Sequence, residues 1–160
     1  MKIKTRNVLR KTDEKALIND IEEAFGDVGA FVGRKLELVE SEEAEFIFVD
    51  GEPLLFRTGG KIFPTVKGAL KLAPSRRRVV VDPGAVKFII NGADVMGPGI
   101  IEADPNIKEG DLVIVVERAH GKAIAIGRAL IPGKGMAGKS GKAIKSIHYV
   151  GDELWKLEQK

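Results

Sequence analysis

The 160-residue chain has no cysteine, two histidines, one tryptophan and one tyrosine. Without cysteine there is no disulfide, no thiolate nucleophile and no cysteine zinc site, and two histidines leave at most a carboxylate-dominated metal site. No metal or cofactor is therefore expected. The chain also lacks the run of about 18 apolar residues that a membrane span needs. The N-terminal MKIKTRNVLRKTDEK has no apolar stretch or small-residue cleavage signal, so a cytoplasmic protein is expected. What is present, 44% hydrophobic and 31% charged residues, suffices for one medium domain or two small ones and argues against a large multidomain enzyme.

The formal charge of +3 is unevenly divided: residues 1–75 hold 12 Lys/Arg against 13 Asp/Glu, and residues 76–160 hold 14 against 10. A cationic C-terminal half suits a polyanion such as nucleic acid, although such charge also serves solubility.

Apolar residues recur at spacings of three and four through Leu17, Ile18, Ile21, Ala24 and Phe25, after Thr12 or Asp13 as a cap, and predict an amphipathic helix over 13–25. A short apolar stretch follows at 28–32. KLELVE at 35–40 alternates like a half-buried strand with Leu36 and Leu38 on one face. Residues 45–49 and 54–57 flank an Asp50-Gly51 pair, which tolerates positive φ and predicts a hairpin. Gly59-Gly60 makes another turn, and Pro64 is expected to open a helix over 65–72. APSRRR at 73–78 reads as a connector, giving domains 1–74 and 75–160. Beyond it the pattern predicts a strand at 78–81, a short helix at 85–91 stopped by Gly92, strands at 111–117 and 123–130 around a five-residue loop, and a final strand pair at 144–150 and 154–157. Many short strands suggest a small barrel.

Gly133 to Ser140 matches the phosphate-loop pattern G-x-x-x-x-G-K-[ST], with Lys139 and Ser140 in the phosphate and magnesium positions. The mechanism needs a buried strand entering and a long helix leaving the loop. Pro132 interrupts the entrance, Gly141 follows at once, and 20 residues remain after Ser140. A flexible basic loop is the expected reading.

The segment VDPGAVKFIINGADVMGPGI (81–100), with EGDLV at 109–113 and AIGRA at 125–129, resembles the opening, middle and later strand of a PUA domain, an RNA-binding module. PLLFR at 53–57, FPT at 63–65 and IHYVGDELW at 147–155 resemble the malignant T-cell-amplified family of two-domain PUA proteins, archaeal members included. That resemblance implies an α+β fold, with a small N-terminal α+β domain followed by a C-terminal PUA β-pseudobarrel, and no catalytic residues. It further implies binding to tRNA or the small ribosomal subunit in translation initiation or recycling, with a density-regulated partner protein beside the eukaryotic members.

The residue chemistry is compatible with an RNA site at residues 92–100. Gly92, Gly97 and Gly99, with Ala93 and Asp94 between them, are expected to expose backbone amides or simply to shape a tight turn, and Pro98 stiffens the loop. Met96 or Ile100 offers an apolar face to a base, while Arg76, Arg77, Lys87, Lys139 and Lys142 supply phosphate contacts. Blander roles suit the remaining candidates. His148 reads as a packed or surface residue, His120 as exposed, Trp155 as a barrel seal, and Glu40, Glu42, Glu43 and Glu45 as a solvated face. The PUA resemblance also implies an alternative function, an accessory subunit of an RNA-modifying enzyme of the pseudouridylation or transglycosylation type, and the more acidic N-terminal half allows a protein adaptor. Nothing resembles a nucleophile–base constellation.

Nucleotide hydrolysis should be absent, and Lys139→Ala should leave nucleotide affinity unchanged while weakening RNA binding modestly. Equilibrium binding of ATP and GTP with and without magnesium checks this; magnesium-dependent binding that the substitution abolishes would restore the phosphate-loop reading.

Overall fold

The computed structural model describes residues 2–25, 31 and 33–157. The chain divides into two compact units, one reaching Pro74 and the other running from Ser75 to Trp155.

The first unit is an antiparallel sheet in chain order, β1 (Ile3–Val8), β2 (Leu36–Ser41), β3 (Glu45–Val49), β4 (Glu52–Thr58) and β5 (Lys61–Pro64), with α1 (Lys11–Phe25) and α2 (Val66–Leu72). Leu17 and Ile21, one helical turn apart, are buried with Leu36, Ile47, Leu55 and Ile62, one core cluster of this unit. Asp50 and Gly51 take φ of 48° and 85°, the two positive values that a two-residue hairpin turn demands. The apolar stretch at 28–32 lies outside the described residues except for Phe31, which is buried in that core.

Two readings of this unit are corrected. Pro64 does not open α2; it ends β5, and Thr65 is the N-cap, its hydroxyl accepting from the Gly68 amide and donating to the Pro53 carbonyl at 2.7 Å. A Cβ on Gly68 would overlap the Leu54 carbonyl, so a glycine lets α2 lie directly on β4. The β2 strand does not alternate cleanly, because Glu37 is buried beside Leu36 while Leu38 is only partly covered. Strand β1 has no counterpart in the sequence pattern: it carries no hydrophobic period, and five of its six residues are exposed.

The pairing of Arg6 with Glu37 explains how such a strand is held. Arg6 donates Nε to Oε2 at 2.7 Å and Nη2 to Oε1 at 3.0 Å, and its guanidinium lies 5.0 Å from the Phe48 ring centre. Two parallel charge-assisted bonds supply geometry that a single ammonium would not.

The second unit is a six-stranded sheet in the order β7-β11-β10-β9-β6-β8. Its strands are β6 (Arg78–Val81), β7 (Val95–Met96), β8 (Ile100–Ala103), β9 (Leu112–Glu117), β10 (Ala123–Ala129) and β11 (Lys142–Tyr149), with α3 (Pro83–Ile89) after β6. The edge strands β7 and β8 are consecutive in the chain, joined by a 3-10 turn at Gly97–Gly99. The sheet therefore curls until its edges nearly meet, a barrel closed around Val79, Val81, Val95, Ile100, Val113, Val115, Ala125 and Ile144. Pairing is antiparallel except between β6 and β9, where Val79 stands opposite Val115 in parallel register.

Residues 154–157 form a turn, not a strand. The Asp152 carboxylate accepts from the Tyr149 and Trp155 amides, both at 2.9 Å, folding the chain back after β11. His148 is buried with Nδ1 2.9 Å from each Asp152 oxygen. Burial pushes the Asp152 carboxyl up, but the His148 ring and the two amides outweigh it and leave it below the usual carboxylate range.

Removing the Arg6 side chain should destabilise the first unit by about 2 kcal/mol at neutral pH, the scale of losing charge-assisted bonds to a buried carboxylate that, among the described residues, keeps only Lys35, 3.9 Å away. The Arg6 hydrogen bond holds the Glu37 carboxyl below its ordinary value against the opposing effect of burial. Its contribution is thus fully present above about pH 4.3 and is lost as pH falls through the lowered folded value. Thermal melts of wild type and Glu37→Gln from pH 7 to pH 3 should converge at the acid end. Parallel curves would exclude the pair as the source of that pH dependence.

Candidate nucleic-acid interface

Asp82 begins the site. Its Oδ1 accepts from the Ala85 amide at 3.2 Å and caps α3, with Pro83 in the first turn, where a missing N–H costs nothing. The helix therefore starts at Pro83, two residues before the sequence pattern suggests. It ends where Gly92, at φ 94°, turns the chain with its amide on the Ile89 carbonyl. A Cβ there would lie 3.1 Å from the Tyr149 hydroxyl.

Between α3, residues 93–96, the Gly97–Gly99 turn and Lys142 lies a cleft of about 620 Å³. Its lining is mainly apolar: Ala85, Phe88, Ile89, Val95, Met96 and Pro98. Phe88 and Met96 are 58% and 46% exposed, so the cleft has two large apolar side chains open to solvent. Its charged members are Asp82, Asp94 and Lys142. Asp94 accepts from the Ser146 amide at 2.8 Å and lies 3.3 Å from Lys142 Nζ; the Ser146 N–H first, and Lys142 after it, hold its carboxyl below the ordinary range against burial. One ammonium facing two carboxylates leaves the interior without positive excess. A stacked base or sugar fits it better than a phosphate does.

The structure brings Ala93, Asp94, Met96, Pro98, Gly99 and Lys142 together in this cleft and separates the others. Ile100 is buried in the barrel core and offers no face to a base. Gly97 is buried too; its amide donates to the Gly141 carbonyl and its own carbonyl accepts from the Gly138 amide, both at 2.9 Å. A Cβ would overlap the Lys139 carbonyl. Gly97 thus joins two backbone segments and is not an exposed platform. Gly99 permits close approach: its Cβ would come within 3.3 Å of Ala85 Cβ. Lys87 is exposed on α3, its Nζ 5.1 Å from the Phe88 ring centre, and Lys139 is exposed next to the turn.

Arg76 and Arg77 precede β6, whereas the cleft begins after it, roughly 16 Å away at strand rise. The Arg77 guanidinium is already engaged, donating Nη1 to the Leu112 carbonyl at 3.3 Å with Nε 3.9 Å from Asp111. The 133–142 segment is anchored rather than flexible. Met136 is fully buried, and the Gly133 amide donates to the Ile107 carbonyl at 2.9 Å. After Ser140 comes β11, without a helix, and the entering strand β10 is antiparallel to both its neighbours, so the phosphate-loop pattern lacks the helix and the parallel sheet that its mechanism needs.

Sequence reasoning missed Phe88. It sits between the exposed Lys87 and the buried Ile89, and the signal available was a large aromatic on the polar side of a short helix. His148 takes the packed one of its two expected positions, and His120 is exposed as expected.

Residues 77–150 match the PUA domain, and residues 5–72 match a domain of unknown function, DUF1947. An uncharacterized protein of Methanocaldococcus jannaschii is 46% identical, with 99% of each chain covered. Translation machinery-associated protein 20 of Schizosaccharomyces pombe is 33% identical over 76% of this chain and 71% of its own. Malignant T-cell-amplified sequence 1 of Danio rerio is 31% identical, covering 73% and 67%. The crystal structure of a hypothetical protein from Pyrococcus horikoshii superposes with a TM-score of 0.84 at 40% identity, covering 95% of this chain and 98% of that one.

Replacing Gly97 with valine should lower the melting temperature substantially, since the side chain must displace the Lys139 backbone. Met96→Ala, at an exposed position, should leave it within about 2 °C of wild type. Calorimetric scans of the two variants provide the comparison, and a normal melt for Gly97→Val would overturn the packing described for the turn.

Proposed function

Since the chain belongs to the family of two-domain PUA proteins that includes translation machinery-associated protein 20 and the malignant T-cell-amplified proteins, we propose that it is a non-enzymatic RNA-binding protein acting in translation. Its ligand in this reading is RNA, the 3′ end of tRNA or the rRNA of the small ribosomal subunit, in initiation or recycling. A density-regulated-type protein is the expected partner.

The observation that carries the reading is the cleft with Phe88 and Met96 exposed at its walls. A terminal, unpaired nucleotide can enter and stack there, whereas the base edges of an A-form stem cannot be reached in their narrow major groove. Phosphates belong outside, on Lys87 and Lys139, because the interior already balances Lys142 against Asp94. The stretch 118–151, Lys139 and Lys142 included, holds seven Lys/Arg and no Asp/Glu, a local excess of charge that attracts a polyanion.

Phe88→Ala should weaken binding of tRNA by about 1–3 kcal/mol without altering the fold, the scale of one base–aromatic stack. Lys87→Ala should weaken it for every sequence and lower the salt slope by about 0.7. Comparing tRNA with and without its terminal CCA tests the site. Equal affinity for the two, unchanged by Phe88→Ala, would reduce the interaction to general electrostatics.

A further inference from the structure

The N-terminal unit presents a basic strand edge whose features differ from those of the RNA cleft. In the sheet order β1 is an edge strand with β2 as its one neighbour among the described residues. The Leu9 amide donates to the Leu36 carbonyl at 2.9 Å. Alternation of antiparallel hydrogen bonds therefore turns the N–H of Val8 toward the open side. Val8 and Ile3 are 62% and 37% exposed, β-branched side chains set on a strand where little is buried. Lys2, Lys4, Arg10 and Lys11 are exposed around them, and residues 2–12 contain no acid.

Cations along an edge strand deter pairing of like edges. A second copy of this chain would bring the same lysines against these and is repelled. An acidic strand meets the opposite situation, since its main chain completes the ladder, its carboxylates face the lysines and alternate apolar residues cover Val8 and Ile3. RNA would satisfy the lysines but neither the open main-chain edge nor the two β-branched side chains. We propose that β1 is a docking edge for an acidic, extended segment of a protein partner, which adds as a sixth strand to the N-terminal sheet.

The test uses the full chain and a fluorescent ten-residue peptide alternating Glu or Asp with Val and Ile. The comparison ligands are its Lys-for-acid counterpart, an equally acidic peptide interrupted by prolines, and a single-stranded oligouridine of equal charge. The acidic strand peptide should bind in the micromolar range with strong salt dependence, and the lysine and proline peptides at least tenfold more weakly. Val8→Pro removes one outward N–H while leaving the β1–β2 ladder intact. It should weaken binding at least tenfold, while Val8→Thr, which keeps the N–H, should bind within about threefold of wild type. The Lys2→Glu, Lys4→Glu pair should also lose at least tenfold. Amide exchange protection across β1 confirms that each variant retains the strand. Absence of peptide binding, equal binding of the proline peptide, or indifference to Val8→Pro in a folded variant would each overturn the docking edge. Displacement of the peptide by oligouridine, with RNA affinity falling in the double glutamate variant, would assign this edge to nucleic acid instead. Self-association of wild type at the peptide's working concentration would also overturn it.

Discussion

The barrel and its cleft both depend on one glycine. Gly97 sits between the two edge strands of the six-stranded sheet, and its amide and carbonyl are both claimed by the 138–141 segment. That segment cannot drift, because Met136 is sunk in the core and Gly133 is packed against the Asp104 carbonyl and Ile107. A side chain at residue 97 would push these backbones apart. The width of the cleft is thus set by main-chain packing rather than by the side chains that line it.

This arrangement separates apolar recognition from charge. Phe88, Met96 and Pro98 face the cleft, while Lys142 is neutralised by an aspartate that is itself held by the Ser146 amide. The remaining cations lie outside. In the proposed RNA-binding role, affinity and discrimination then rest on different residues, with ionic strength acting mainly on the former.

Local chemistry made much of the fold legible. Asp50-Gly51 announces its hairpin because few residue pairs accept two positive φ values, and 112–117 and 123–129 are too apolar to lie elsewhere than in a barrel wall. The first strand was illegible because an ion pair and a main-chain ladder hold it, neither of which leaves a hydrophobic period. Strand β7 has two residues, too few for any pattern. In the candidate site, residue types at 92–100 pointed to a stretch that lines a cleft, but type alone does not distinguish a glycine that exposes its amide from one that has spent it. Nor does a run of arginines reveal that Arg77 takes φ 64° and turns its guanidinium onto a neighbouring strand's carbonyl.

The parallel pairing of β6 with β9 has a kinetic consequence. Strands β9, β10 and β11 are neighbours in sequence and in the sheet, so their antiparallel meander closes through connections of five and twelve residues. β6 must wait for α3, β7, the turn and β8 to be threaded before it meets β9 with Val79 opposite Val115. Such non-local contacts are slow to form. The cleft is built from those late-joining pieces, together with a lysine on the early meander. A nascent or partly unfolded barrel therefore holds no partial version of the site, and local opening of the β7 and β8 edges abolishes it before the meander melts.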